Sequence, residues 1–183
     1  MNLPNKLSLL RAILMPVCVV LTVLSAPFAR WAALGVFCVA AFTDFLDGQI
    51  ARRQHLITDF GKFMDPVADK MLVLGVMCAM VDRRMLPFWV LLCLIARDLA
   101  VDGLRLVAAG QGKVIAAGKL GKIKTVSQMI LILWLYVFPA TWQEAGLNPG
   151  RFITFLSVLL TLYSGADYLW RNRAVLTGGK DGN

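Results

Sequence analysis

Long apolar blocks separated by short polar breaks run the length of this chain. Hydropathy and turn signals together predict six helices, near residues 7–25, 31–53, 61–81, 86–108, 120–139 and 151–170. Each is close to the roughly 20 residues a helix needs to cross the hydrocarbon core of a bilayer. The breaks fall at Pro27, Asp82-Arg83-Arg84, Gly110-Gln111-Gly112 and Asn148-Pro149-Gly150, all helix-ending or turn-forming compositions. The pattern predicts an all-α integral membrane protein with about six transmembrane helices. It forms a single transmembrane domain over residues 1–176, with a polar tail at 177–183. The basic start and apolar middle of residues 1–26 loosely fit a signal peptide. Asn5, Ser8 and Arg11 recur through this segment, however, and it reads as a first span.

Two of the blocks are only half apolar. In the second, the apolar run from Trp31 to Thr43 covers roughly 20 Å, short of the ~30 Å core, and carboxylates begin at Asp44. In the third the order reverses, with polar residues first and then the run from Met71 to Val81. The two polar halves meet at one membrane face, joined by residues 53–59, and predict a polar cavity at headgroup depth. Loop charge sets the orientation. With the N-terminus inside, one side holds Lys6, Arg52, Arg53, Lys113, Lys119, Lys122, Arg171, Arg173 and Lys180, and the other only Arg30, Arg83, Arg84 and Arg151. Both termini and the polar cavity are therefore expected on the cytoplasmic side.

Composition sharpens this picture. The chain has 183 residues, is 58% hydrophobic and is only 16% charged, below the quarter usual in soluble domains. Its formal net charge of +8 suits contact with anionic headgroups and phosphates. The basic residues are spread over helix ends rather than along one stripe, so nucleic acid is not an expected partner. Cys18, Cys38, Cys78 and Cys93 lie inside apolar blocks without a Cys-x-x-Cys pair, and read as buried reduced thiols. Trp31, Trp89, Trp134, Trp142 and Trp170 mostly stand near span ends, as interfacial aromatics do. His55, the one histidine, falls in the polar loop and reads as solvated.

The chemistry is concentrated in residues 44–69, which read Asp44-x2-Asp47-Gly48-x2-Ala51-Arg52-x8-Gly61-x3-Asp65-x3-Asp69. Ionisable residues near a bilayer are costly and are functional candidates by default. Asp44 and Asp47 are i and i+3, and Asp65 and Asp69 are i and i+4, so each pair shares one helix face. Four like charges converging there would repel unless cations held them. Hard oxygen ligands suit Mg²⁺, Mn²⁺ or Ca²⁺ rather than zinc, and four carboxylates suffice for a two-metal site of the kind that drives phosphoryl displacement. Glycine destabilises helix interiors, so Gly48 and Gly61 beside the acids imply close approach of a ligand. Arg52, one turn beyond Gly48, could hold a phosphate or brace a carboxylate, with Thr58 and Lys62 as secondary candidates.

This motif resembles, at every fixed position, the signature of the CDP-alcohol phosphatidyltransferases. The resemblance implies a six-helix integral membrane enzyme, usually a homodimer, that transfers a phosphatidyl group from CDP-diacylglycerol to an alcohol and releases CMP. It implies two divalent ions, Mg²⁺ or Mn²⁺, held by Asp44, Asp47, Asp65 and Asp69, with Asp69 also the base that deprotonates the acceptor. It further implies that Gly48, Arg52 and Thr58 touch the cytidine nucleotide, with Asn5, Ser8, Asp47 and Gly61 beside them on the CDP-diacylglycerol side. A bacterial inner membrane is the expected location.

Other segments bear on the acceptor. Residues 4–11, 61–70, 97–105 and 118–128 look like the branch of the family that makes phosphatidylglycerol phosphate from glycerol 3-phosphate. That acceptor is a dianion and needs cations. Arg97 and Arg105 stand about two helical turns apart on one face, and Lys119, Lys122 and Lys124 open the next span, giving a basic acceptor-phosphate pocket between the fourth and fifth helices. Two positions depart from the family pattern. Asp98 stands where Glu is expected, and Asp102 stands where a serine-like residue is expected and could pair with Arg97 or Arg105. Rival readings are the same transfer to inositol phosphate, serine or phosphatidylglycerol, a Mg²⁺-dependent membrane prenyltransferase, or a cation transporter.

Overall fold

In a computed structural model of the chain, the described residues are 3–54, 59–113, 115, 118–142, 146 and 148–176. Side chains are described within the helices except at residues 3–8, 27, 44–54, 59–66, 68, 69, 119 and 176. Among the described residues the regular structure is wholly helical: α1 (Leu3–Val23), α2 (Pro27–Gln54), α3 (Asp59–Asp82), α4 (Phe88–Gly110), α5 (Lys119–Val137), α6 (Pro149–Arg171) and α7 (Arg173–Leu176). Each of the six predicted blocks is a helix. The short α7 is an addition, and the predicted tail at 177–183 lies outside the described residues.

The helix ends follow from local chemistry. At the end of α3, Arg84 takes a positive φ of 56° while Met85 N–H reaches back to the Met80 carbonyl at 2.8 Å. This is a Schellman closure with arginine, rather than glycine, in the left-handed position. At the end of α4 the same closure is made by Gly112 (φ 72°), with Lys113 N–H on the Ala108 carbonyl at 2.9 Å. α6 begins on Asn148, whose side-chain oxygen accepts from Gly150 N–H at 2.8 Å, with Pro149 pre-set for the first turn.

The chain divides into two compact units. The first comprises Met1–Leu86 with Tyr136–Pro139. Here α1 packs on both α2 and α3. α2 buries Ala29, Ala33, Phe37 and Ala40, and α3 buries Leu72, Val73, Val76, Met77 and Met80, each a stripe at helical spacing. Small residues permit close helix approach where lipid gives no hydrophobic drive. A Cβ at Gly75 would come within 3.3 Å of Val19 and 3.4 Å of Met15 on α1. Two buried hydroxyls in this unit satisfy each other. Thr22 donates to the Cys18 carbonyl at 2.7 Å, so its oxygen is left to accept from the Tyr136 hydroxyl, also at 2.7 Å.

The second unit comprises Pro87–Leu135 with Ala140–Asn183. α4 packs on α6, and α7 packs on both. Val101, Leu104, Ala108, Tyr168 and Val175 form its buried cluster. α7 is tied down by Gln111, whose side-chain amide donates to the Val175 carbonyl at 3.0 Å. Trp89, Trp142 and Phe155 stack edge to face and tilted at centroid separations of 5.7–6.3 Å, with the Arg151 guanidinium over Trp142.

The exposed faces of the described helices are largely apolar. α6 hides Thr154, Ser157, Thr161 and Ser164 and exposes Phe152, Phe155, Leu159, Leu162 and Tyr163, an inside-out helix that would aggregate in water. Leu120–Val137 and Pro149–Arg171 are long and apolar enough to cross a bilayer, and Leu9–Val23 and Phe28–Thr43 are shorter apolar runs. α4 contains Arg97, Asp98, Asp102 and Arg105, and its charges set it apart from those two. The cysteines are free, but only Cys18 is buried; Cys38 and Cys78 lie on the outer face, so the expectation of four buried thiols is corrected. In a membrane protein an apolar block includes a lipid-facing side, and a small apolar thiol is as compatible with lipid as with a core.

Candidate active site

The acidic motif falls on two helices that both rest on α1. The backbone is helical from Pro27 to Gln54, so positions 44 and 47, and then 48 and 52, are each about one turn apart. It is helical again from Asp59 to Asp82, placing positions 61, 65 and 69 at successive turns. The side chains of Asn5, Ser8, Asp44, Asp47, Arg52, Lys62, Asp65 and Asp69 and the surroundings of Gly48 and Gly61 lie outside what the structure describes, as do His55 and Thr58 altogether. Among the described residues no three His, Cys, Asp or Glu side chains are grouped as metal ligands. Next to the motif, Thr43 is buried and its hydroxyl donates to the Val39 carbonyl at 2.6 Å. Arg11, from the N-terminal segment singled out in the sequence, is fully buried in α1 and has an interaction partner.

The basic residues expected to serve the acceptor are resolved in more detail. Asp98 on α4 is the hub. Lys124 on α5 donates to both of its oxygens at 2.8 Å, and Arg97 Nη1 donates to Oδ1 at 3.0 Å. The three side chains are only 9%, 7% and 11% exposed. Buried charges persist only when paired and hydrogen-bonded, and here one carboxylate serves two cations. The carboxylate held by Arg97 is that of its neighbour Asp98. The second nitrogen of the Arg97 fork, Nη2, donates to Ser164 Oγ on α6 at 3.0 Å, and Ser164 in turn donates to the Thr161 carbonyl at 3.1 Å. Arg97 thus has two of its five N–H groups engaged in these contacts, and its buried Nε has no partner among the described residues.

Arg105, two turns further along α4, is held by Tyr168. Its Nε donates to the phenol oxygen at 3.1 Å, and the guanidinium lies 5.3 Å from the ring centroid. Lys122 is exposed, and the Lys119 side chain lies outside the described residues. The structure therefore brings Arg97 and Lys124 together around Asp98 and gives Arg105 its own aromatic support.

The contribution of α6 is the part the sequence reading missed. Its buried positions Thr154, Ser157, Thr161, Ser164 and Tyr168 recur every three or four residues. From this polar seam Ser164 holds Arg97, Tyr168 holds Arg105, and Ser157 meets Ser127 of α5 at 3.3 Å. The signal was legible: hydroxyls at helical spacing in an otherwise apolar span mark the face turned toward the protein.

Against known proteins, the family model described as CDP-alcohol phosphatidyltransferase matches residues 1–163. The chain is 37% identical over 183 residues to a Bacillus subtilis protein named CDP-diacylglycerol–glycerol-3-phosphate 3-phosphatidyltransferase, covering 93% of this chain and 95% of the relative. It is 38% identical over 180 residues to the Escherichia coli K12 protein of the same name, covering 96% and 97%. A Shigella flexneri relative with that name matches to the same extent. The acidic motif on α2 and α3, the match over residues 1–163 and the near full-length identity together establish that this chain belongs to the CDP-alcohol phosphatidyltransferase family.

Proposed function

We propose that this protein transfers a phosphatidyl group from CDP-diacylglycerol to glycerol 3-phosphate, yielding phosphatidylglycerol phosphate and CMP in phospholipid biosynthesis. The observation that carries this reading is near full-length similarity to relatives named for that activity, combined with the complete acidic motif. The paired arginines of α4, one held by Asp98 and Ser164 and the other by Tyr168, favour a phosphate-bearing acceptor over serine.

Asp44, Asp47, Asp65 and Asp69 hold two divalent ions, Mg²⁺ or Mn²⁺. Four carboxylates from two helices are a hard-oxygen donor set that fits such ions. When bound, the ions neutralise the diphosphate and the charge that departs with CMP. Gly48, Arg52, Thr58 and Gly61, with Asn5, Ser8 and Asp47, line the cytidine diphosphate end of the lipid substrate. Arg97, Arg105, Lys119 and Lys122 attract the acceptor phosphate, and Lys124 adds charge while fixing Asp98. Asp69 takes the proton from the C1 hydroxyl of glycerol 3-phosphate. The freed oxygen forms a bond to the β-phosphorus as the bond from that phosphorus to the CMP oxygen breaks. On this reading the chain crosses a bacterial inner membrane six times, keeps both termini and the polar cavity cytoplasmic, and works as a homodimer. The apolar outer faces and the loop-charge asymmetry support the topology.

The test is an acceptor panel. Purified protein in detergent receives CDP-diacylglycerol, Mg²⁺ or Mn²⁺ and one alcohol at a time, and CMP release is followed. CMP with glycerol 3-phosphate alone is the expected result. CMP with inositol phosphate, serine or phosphatidylglycerol instead would keep the reaction and overturn the acceptor. No CMP from folded protein with any alcohol would overturn the reaction. Asp69→Asn should abolish turnover in a protein that still folds, and near-normal turnover would remove Asp69 as the base.

A further inference from the structure

Arg97 leaves α4 and lies across α6 at position 165. A Cβ built on Gly165 would stand 2.7 Å from Arg97 Cγ, 3.6 Å from Nε and 3.7 Å from Cδ. The first of these is a separation that real Cβ atoms do not adopt, and Cγ is near the root of the side chain, so the whole arginine would have to move. Glycine at 165 therefore lets the arginine stem rest on the α6 backbone. The adjacent residue, Ser164, then takes Nη2 at 3.0 Å, while Nη1 stays on Asp98. Two consecutive residues of α6 thus fix the path of the stem and the rotation of the fork. The N–H groups not used in those two contacts inherit their direction from this seat. Guanidinium forks recognise phosphate through fixed geometry, so rotating the fork costs recognition even when the charge remains.

We propose that Gly165 and Ser164 are positioning residues for Arg97, and that α6 thereby sets the affinity for the acceptor's phosphate. This rests on Arg97 being a ligand of that phosphate. The signature of positioning is a rise in the KM for glycerol 3-phosphate, with the KM for CDP-diacylglycerol and the saturating rate little changed. Loss of one charge-assisted hydrogen bond predicts about a tenfold rise.

The experiment compares Gly165→Ala, Ser164→Ala, Arg97→Ala and the double variant Gly165→Ala/Arg97→Ala, as full-length protein in detergent with CDP-diacylglycerol and Mg²⁺. Arg97→Ala should raise the acceptor KM most. Gly165→Ala and Ser164→Ala should each raise it about tenfold, and Gly165→Ala should add nothing once Arg97 is gone. If Arg97→Ala raises the acceptor KM but neither α6 variant does, the positioning role is overturned while Arg97 keeps its place in the pocket. If Arg97→Ala leaves the acceptor KM unchanged, Arg97 is not the ligand and the inference falls with it. If Gly165→Ala does not fold, Ser164→Ala, which only removes a hydroxyl, decides between these outcomes. A fall in kcat with equal changes in both KM values would mark a structural role and refute positioning.

Discussion

Replacing Asp98 with asparagine tests whether the charge cluster of α4 and α5 is as tightly coupled as its geometry indicates. Asp98 offers both oxygens to Lys124 at 2.8 Å and one to Arg97 at 3.0 Å, with all three side chains nearly covered. Breaking a buried pair by removing one partner costs about 3–5 kcal/mol, because a charge is left without compensation. Arg97 and Lys124 both lose this acid at once. With roughly 2–4 °C of midpoint per kcal/mol for a chain of this size, Asp98→Asn should lower the thermal midpoint by about 6–20 °C. Lys124→Met leaves the Arg97–Asp98 pair in place and should cost less. The double variant discriminates most sharply. Lys124→Met should cost less in the Asp98→Asn background than in the parent, because its bonds to Asp98 are already gone, with a coupling of about 0.5–3 kcal/mol. Tryptophan fluorescence during heating of purified protein in one detergent reads all four forms. Strictly additive losses in the double variant would refute the coupling in this cluster.

Three further outcomes are expected. A Cβ at buried Gly150 would overlap the Trp134 indole nitrogen and come within 2.5 Å and 2.8 Å of Thr141 atoms, so Gly150→Ala should destabilise by about 1–3 kcal/mol in the same melting assay. Tyr136→Phe removes the 2.7 Å bond to Thr22 in the first unit and should cost about 1 kcal/mol, visible as a midpoint shift with unchanged CMP release. Chelation should stop CMP release and added Mg²⁺ or Mn²⁺ should restore it; turnover that persists in excess chelator would remove the divalent ions from the proposed mechanism.

Most of the helical layout could be read directly from the chain. The blocks predicted at 86–108 and 151–170 match α4 and α6 within two residues at each end. Gly110-Gln111-Gly112 and Asn148-Pro149-Gly150 are terminators with defined hydrogen bonding, so they fix boundaries locally. α7 was not legible because one turn of helix has no periodicity to read, and it is held by a tertiary contact from Gln111. The acidic motif was legible because its meaning lies in spacing along two helices. The Arg97–Asp98–Lys124 cluster was not, because Lys124 lies 26 residues from Asp98 and only the packed helices bring the two together. Ser164 and Tyr168 each look like an incidental hydroxyl until α4 is laid against α6.

The order in which the Asp98 cluster is completed constrains how the chain can be made. On the proposed six-span topology, α4 would enter the membrane carrying Arg97, Asp98, Asp102 and Arg105, and a charge near mid-helix opposes insertion by about 2.5–3.5 kcal/mol. Lys124 follows Asp98 by 26 residues, and Ser164 follows Arg97 by 67. A nascent α4 therefore has no good reason to leave the insertion machinery for lipid until α5, and then α6, arrive to take up its charges. Chains stalled before α6 should still crosslink to that machinery through α4, whereas chains that include α6 should be released.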